Sequence, residues 1–125
     1  MLDLTATYLH LGEGPEVRAI PVTDDFWPTI DQRTELQRGR LITSFAHDAD
    51  WTVWEMHPEG DEVIVVLSGS VTFHLDDGTA TQRVAVAAPH CVVVPTGIWH
   101  TADVREPGQI LVITWGEGTQ HRARD

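Results

Sequence analysis

From Arg40 onward the chain consists of short apolar segments, separated at regular intervals by turn residues. This spacing is the sequence feature that most restricts the fold. β-Branched residues are frequent in the segments, and the Asp76-Asp77-Gly78 turn is typical of a tight hairpin. We predict strands at Leu41 to Ala46, Trp51 to His57, Glu62 to Leu67, Val71 to Leu75, Thr81 to Ala87, Cys91 to Val94, Trp99 to Val104 and Gln109 to Trp115. Short strands at such spacing predict an all-β sandwich or barrel.

The two ends of the chain carry weaker patterns. Residues 1–40 are predicted to form an N-terminal arm with strands at Thr5 to Leu11 and Val17 to Val22, followed by a cap or turn with room for one short helix. Residues 116–125 are polar and are predicted to be a frayed tail. A chain of 125 residues has the size of a single domain, with the barrel over residues 41–115.

Charge and cysteine content narrow the class of partner and the compartment. A net charge of -11 argues against binding to nucleic acid or to an anionic membrane surface. The single cysteine, Cys91, excludes an internal disulfide and suits a reducing compartment. Because Cys91 lies in an apolar strand, we expect it to be a small core residue. No apolar run has the length of a membrane span, so we expect a cytoplasmic protein.

The stretch from Trp51 to Gly69 combines acidic and imidazole side chains with an apolar strand. Glu55 and His57 are two residues apart, so on a strand they share one face. A Pro58-Glu59-Gly60 turn then lets the chain reverse and brings Glu62 opposite them. Charged groups inside an apolar wall are costly unless they are satisfied, and a divalent metal ion would satisfy them.

A second stretch, Pro95-x-Gly97-x-x-His100, supplies another candidate ligand. Gly97 allows a sharp backbone turn before His100 approaches from a different hairpin. Together with Glu55, His57 and Glu62, this histidine would form a site of three or four ligands. Such a site leaves a coordination position open for water or substrate, as catalytic metal sites do.

The ordered pair of motifs, Glu55-x-His57-x4-Glu62-x6-Gly69 and Pro95-x-Gly97-x-x-His100, resembles the two motifs of the cupin superfamily. The resemblance covers roughly Leu41 to Trp115. It implies a double-stranded β-helix, or jelly-roll barrel, of the small single-domain type that forms homodimers. It also places His57, Glu62 and His100 on metal-ligand positions of the family, and it implies dioxygenase, isomerase, decarboxylase or lyase chemistry.

Glu55 departs from the family pattern, which usually has a histidine at its position. A carboxylate ligand would give a site of two histidines and two carboxylates, suited to Fe, Mn, Ni or Zn. It would also lower the net charge of the site and so favour harder cations. The alternative is a barrel that has lost its metal and binds a small ligand without catalysis. The sequence leaves both functions open, a metal-dependent enzyme and a non-catalytic binding protein.

Alternation along the strands also predicts a pocket. The side chains expected beside the proposed ligands are Trp51, Val53, Ile64 and Val66. An apolar pocket with an aromatic wall would suit a small organic molecule. The remaining histidines have no partner at ligand spacing and are left outside the site: His10, His47, His74, His90 and His121.

Overall fold

A computed structural model describes all of residues 1–125 and contains almost exclusively β-structure. The strands are β1 Thr7–Leu11, β2 Val17–Pro21, β3 Arg40–His47, β4 Val53–Met56, β5 Glu62–Val66, β6 Ser70–Asp76, β7 Thr81–Ala87, β8 Cys91–Val94, β9 Trp99–Glu106, β10 Gly108–Thr114 and β11 Gln120–Ala123. The strands predicted from Leu41 to Trp115 are all present, and their ends lie within two residues of the predicted ones.

Two antiparallel sheets form the barrel. The first has six strands in the order β2-β1-β3-β10-β5-β8, and the second has five in the order β11-β4-β9-β6-β7. The inward faces of both sheets share one core, whose buried members are Ile64, Val66, Val71, Phe73, Val86, Val92, Val94, Ala102, Ile110 and Val112. This arrangement confirms the all-β, cupin-type jelly-roll fold that the sequence predicts.

The N-terminal arm extends the six-stranded sheet. β1 pairs with β3 and with β2, so the arm continues the barrel wall at its edge. A second apolar cluster lies beneath it and contains Tyr8, Ile20, Phe26, Leu36 and Leu41. The helical content of the arm consists of two short 3₁₀ helices, Ile30–Gln32 and Thr34–Leu36. No helix in the structure is long and apolar enough to cross a membrane.

Two sequence-based expectations were wrong. The tail after residue 116 is not frayed, because β11 pairs with β4 along its full length, from Gln120 opposite Met56 to Ala123 opposite Val53. Cys91 is not a core residue; its side chain is exposed. β8 is an edge strand in which Val92 and Val94 fill the inward positions, so alternation turns Cys91 outward.

A glycine turn ties the two sequence motifs together. Gly97 has a φ of 80°, a conformation that residues with a Cβ rarely adopt, in the turn before β9. Its backbone N–H donates a 2.9 Å hydrogen bond to the carbonyl oxygen of His57. The turn that precedes one candidate ligand is thereby fastened to the backbone of another.

Candidate metal centre

Glu55, His57, Glu62 and His100 converge at one end of the barrel, between the two sheets. Each can offer one ligand atom, and these four atoms lie within 4.8 Å of one another. Glu55 on β4 is the direct cross-strand partner of His100 on β9. Glu62 is the first residue of β5 in the opposite sheet, and His57 directly follows β4. The structure therefore brings together all the residues that the sequence proposed as ligands; their role as ligands stays a prediction.

The centre is largely shielded from solvent. The residues His57, Glu62 and His100 are 5%, 2% and 0% exposed, whereas the side chain of Glu55 is 25% exposed. His57 Nε2 lies 2.9 Å from Glu62 Oε2 and 3.0 Å from Glu55 Oε1, and His100 Nε2 lies 3.0 Å from Glu62 Oε1. Solvent access to the four side chains is therefore mainly on the side of Glu55.

Hydrogen bonds on the far side of each imidazole determine which nitrogen faces the centre. Thr119 Oγ1 donates its only proton to the carbonyl of Gly116 at 2.8 Å, so it accepts from His57 Nδ1–H at 2.8 Å. His100 Nδ1–H donates to the carbonyl of Ile98 at 3.2 Å. In its neutral form each ring consequently presents the lone pair of Nε2 to the centre.

The donor atoms at the centre fit a divalent cation. The Nε2 atoms of His57 and His100 and Oε1 of Glu62 are buried, and none makes a hydrogen bond of acceptable angle despite the short separations. Buried polar atoms normally have partners, so a group of such atoms aimed at one point is unusual. Two imidazole nitrogens and two carboxylates form a donor set that suits Mn, Fe, Ni or Zn.

The acidic and imidazole groups at the centre shift one another's pKa values. Burial lowers the pKa of His57, but the carboxylates of Glu55 and Glu62, 3.0 and 2.9 Å from its Nε2, outweigh burial and raise that pKa to about 9. Burial acts to raise the pKa of Glu55, yet its hydrogen bond with His121 and the nearby imidazole of His57 hold that pKa well below the usual range. Burial also acts to raise the pKa of Glu62, but the nearby imidazoles of His100 and His57 outweigh burial and lower that pKa. Both carboxylates are therefore ionised at neutral pH.

The residues predicted to line a pocket lie at different depths. Ile64 and Val66 are 0% exposed and belong to the shared core. Trp51 packs against that core, with its ring centroid 5.9 Å from that of His100. Val53 is partly exposed, and its carbonyl accepts a hydrogen bond from Thr101 Oγ1. Trp51 is thus the aromatic neighbour of the centre, while a substrate pocket remains a prediction.

Sequence reasoning missed three residues that contact the proposed ligands. Thr114 Oγ1 donates a 2.5 Å hydrogen bond to Glu62, Thr119 accepts from His57, and His121 Nε2 lies 2.9 Å from Glu55 Oε2. Asp61, the neighbour of Glu62, instead accepts hydrogen bonds from Thr96 in an exposed turn. The missed contacts join residues 52 to 66 positions apart, so no local pattern in the sequence indicates them.

Comparison with known proteins agrees with this fold. A family model described as "Cupin domain" matches residues 41–116. None of the curated proteins compared with the chain matches it significantly. Among solved structures, a cupin-2 domain containing protein from Shewanella frigidimarina aligns with a TM-score of 0.52 and 20% identity, over 83% of this chain and 81% of that one.

Several of the similar structures are enzymes by their descriptions, among them a dioxygenase and a decarboxylase. A hydroquinone 1,2-dioxygenase in complex with Cd²⁺ and 4-hydroxybenzonitrile aligns with a TM-score of 0.51 and 19% identity, over 60% of this chain and 56% of that one. A mutant of Bacillus subtilis oxalate decarboxylase aligns with a TM-score of 0.53 and 16% identity, over 67% of this chain but only 23% of that one. At these identities the likeness concerns the fold.

Proposed function

The chain belongs to the cupin domain family, and from that premise we propose that it is a metal-dependent enzyme acting on a small organic molecule. The observation that carries the proposal is the convergence of Glu55, His57, Glu62 and His100, with buried imidazole nitrogens that lack other partners. The cost of burying two carboxylates beside two histidines is offset when a cation binds between them.

In this proposal the four side chains hold a divalent transition metal, Fe, Mn, Ni or Zn, and Glu55 is the ligand nearest to solvent. A metal at such a site polarises a bound substrate or activates water or dioxygen. Substrate would approach past Glu55, with the ring of Trp51 beside His100 as an apolar contact. The dioxygenase and the decarboxylase of similar fold act on small organic molecules, which supports this substrate class.

A non-catalytic binding protein is the second candidate, and one observation favours it. Glu55 and Glu62 flank His57, whose pKa of about 9 keeps it protonated at neutral pH, so the carboxylates have an internal counter-charge. A centre compensated in this way can persist without a metal. The barrel would then bind a small ligand and carry out no reaction.

Elemental analysis of untagged protein purified without chelator tests the metal centre. We expect near-stoichiometric transition metal in the wild type and its loss in His57→Ala and His100→Ala. His90→Ala is the matched control, because the side chain of His90 is exposed and bonds only to the carbonyl of Ala87 in its own turn. Metal-free wild-type protein that gains no thermal stability from added Mn²⁺, Fe²⁺, Ni²⁺ or Zn²⁺ would contradict the proposal.

A second experiment separates an enzyme from a binding protein. Metal-loaded protein would be incubated with a panel of diketones, phenols and small keto acids while dioxygen consumption and product formation are followed. Turnover that the His100→Ala variant lacks supports catalysis. Saturable binding of a panel member without any product would favour the binding protein instead.

A homodimer is part of the proposal, and the outward face of the six-stranded sheet supports it. One row of cross-strand neighbours on that face is entirely apolar and contains Ala19, Leu9, Ile42, Ile113, Val63 and Val93. Six strands at about 4.8 Å spacing make this row roughly 24 Å wide. An apolar row of that width on a chain of net charge -11 suits a second copy of itself.

We also place the protein in the cytoplasm. Cys91 is exposed and has no disulfide partner, and an exposed thiol stays reduced most readily in a reducing compartment. Fusion of the chain to a fluorescent protein, followed by fractionation of the producing cells, would test this location.

A further inference from the structure

The last strand, β11, lies outside the part of the chain that the cupin family model matches, residues 41–116. Its segment nevertheless contacts two of the four proposed ligands. Thr119 is hydrogen-bonded to His57, and His121 is hydrogen-bonded to Glu55. Residues added after the family core therefore form part of the surroundings of the centre in this chain.

Several contacts hold β11 in a fixed place. Its backbone pairs with β4, with His121 directly opposite Glu55. The guanidinium group of Arg122 lies 5.1 Å from the ring centre of Trp54 and 4.6 Å from that of Trp99, within the range of cation–π attraction. Arg124 donates to the carboxylate of Asp103 at 2.5 Å. Side chains on this segment can therefore hold their partners in fixed orientations.

Thr119 fixes the ring of His57. Because the threonine hydroxyl donates to the carbonyl of Gly116, only its lone pairs remain for His57 Nδ1. The ring must then keep its proton on Nδ1 when it is neutral, and Nε2 becomes the metal-binding atom. Partners of this kind on the far nitrogen orient the imidazole and raise its basicity as a ligand.

His121 acts on Glu55 in the corresponding way. Its Nε2 lies 2.9 Å from Oε2 of the carboxylate, and Oε1 faces His57 at 3.0 Å. Oε2 of Glu55 is thus hydrogen-bonded to His121, and Oε1 is left to face the centre. Glu55 is the most exposed of the four proposed ligands, and this contact restrains its rotation from the solvent side.

We propose that Thr119 and His121 are positioning residues of the metal centre, and this inference rests on the function proposed above. Thr119 sets the tautomer and orientation of His57, and His121 directs one oxygen of Glu55 toward the cation. The two act through the ligands and do not bind the metal themselves.

Titration with Co²⁺, whose visible absorption reports its coordination, tests the inference on the full chain. We expect Thr119→Val and His121→Ala each to weaken Co²⁺ binding about 10- to 100-fold and to change the absorption spectrum. Thr119→Ser keeps the hydroxyl and His121→Gln keeps an N–H donor, so both should restore most of the affinity. Valine nearly matches threonine in shape, and the side chain of His121 is 53% exposed, so the folded structure should survive.

Gln120→Ala is the matched control, because Gln120 lies between the two residues on the same segment and is exposed. Its Co²⁺ affinity and spectrum should equal those of the wild type. Wild-type affinity and spectrum in both Thr119→Val and His121→Ala, with binding lost in His57→Ala, would overturn the inference and leave the metal centre intact. Absence of Co²⁺ binding to the wild type would overturn both.

Discussion

The hydroxyl of Thr114 donates a 2.5 Å hydrogen bond to Oε2 of Glu62, across the paired strands β10 and β5. Glu62 is 2% exposed, and its other partners are the imidazoles of His57 and His100. Thr114 is thus an uncharged donor to a buried carboxylate. This contact stabilises the ionised form of Glu62 whether or not a metal is bound.

Replacement of Thr114 by valine should destabilise the metal-free protein. The valine side chain has a similar shape but leaves the buried carboxylate oxygen without its donor, which costs about 2 kcal/mol. Urea unfolding of the metal-free protein measures the loss. Thr114→Ser, which keeps the hydroxyl, should lie close to the wild type. Equal stability of the valine variant and the wild type would contradict the importance of this hydrogen bond.

Glu55 should control which metal the centre prefers. Glu55→His would replace a hard carboxylate oxygen by a softer imidazole nitrogen and raise the net charge of the site. We expect the ratio of the Mn²⁺ to the Ni²⁺ dissociation constant to rise on the order of tenfold in this variant. Competition titrations of wild-type and variant protein with both ions measure that ratio.

Glu55→Gln is the control for the charge alone, because it keeps the shape of the side chain and an oxygen donor. It should weaken binding of both ions without the shift toward Ni²⁺. If Glu55→His left the ratio unchanged, Glu55 would not be a ligand, and its role would be confined to its ion pair with His57 and its hydrogen bond with His121.

The sequence allowed most of the barrel and the convergence of the four proposed ligands to be predicted, because both depend on local patterns within the two motifs. Alternation predicts that Glu55 and His57 share a face, and the turn through Gly60 predicts that Glu62 returns toward them. Gly97, with its positive φ, indicates the turn before His100. Each of these features lies within a few residues of its partner along the chain.

The surroundings of the centre could not be predicted, because they depend on pairing between distant strands. His121 and Thr119 contact residues 66 and 62 positions earlier, and nothing in a polar ending indicates that it will pair with β4. The prediction that Cys91 is a core residue was wrong for a related reason. An apolar strand of four residues gives no sign of whether it lies at an edge, where one face turns to solvent.

Asp103 should make the stability of the protein depend on acid pH. Hydrogen bonds from His74 and Arg124 hold the pKa of Asp103 below its usual value of 3.8. A group whose pKa is lowered by folding contributes stability above its unfolded pKa and loses it as pH falls through the folded pKa. The contribution of Asp103 should therefore be complete at about pH 6 and should be lost as pH falls through the lowered pKa of the folded state.

Thermal midpoints of wild-type and Asp103→Asn protein, measured across this range, isolate the effect, because contributions from other carboxylates occur in both proteins. The wild type should be the more stable near pH 6, and the two curves should converge as pH falls. Asp50→Asn is the comparison variant, because the carboxylate of Asp50 accepts only the backbone N–H of Val104 and contacts no cationic side chain. Parallel curves for Asp103→Asn and the wild type at all pH values would contradict the prediction.

Val93 should be required for self-association. It lies at the end of the apolar row on the outward face of the six-stranded sheet, and it is 52% exposed. A glutamate at this position would bring two like charges together, or bury them, in an interface formed by two copies of the same face. We expect Val93→Glu to convert a dimer into a monomer while the fold is retained.

Light scattering coupled to size-exclusion chromatography measures the mass of each variant, and circular dichroism checks that the strands remain. Gln82→Glu is the matched control, because Gln82 is exposed on β7 in the other sheet and receives the same added charge. It should retain the mass of the wild type. A wild-type mass of one protomer would exclude the dimer. A dimer that persists in Val93→Glu would exclude this face as the interface, because burying a carboxylate pair at its edge would weaken the association.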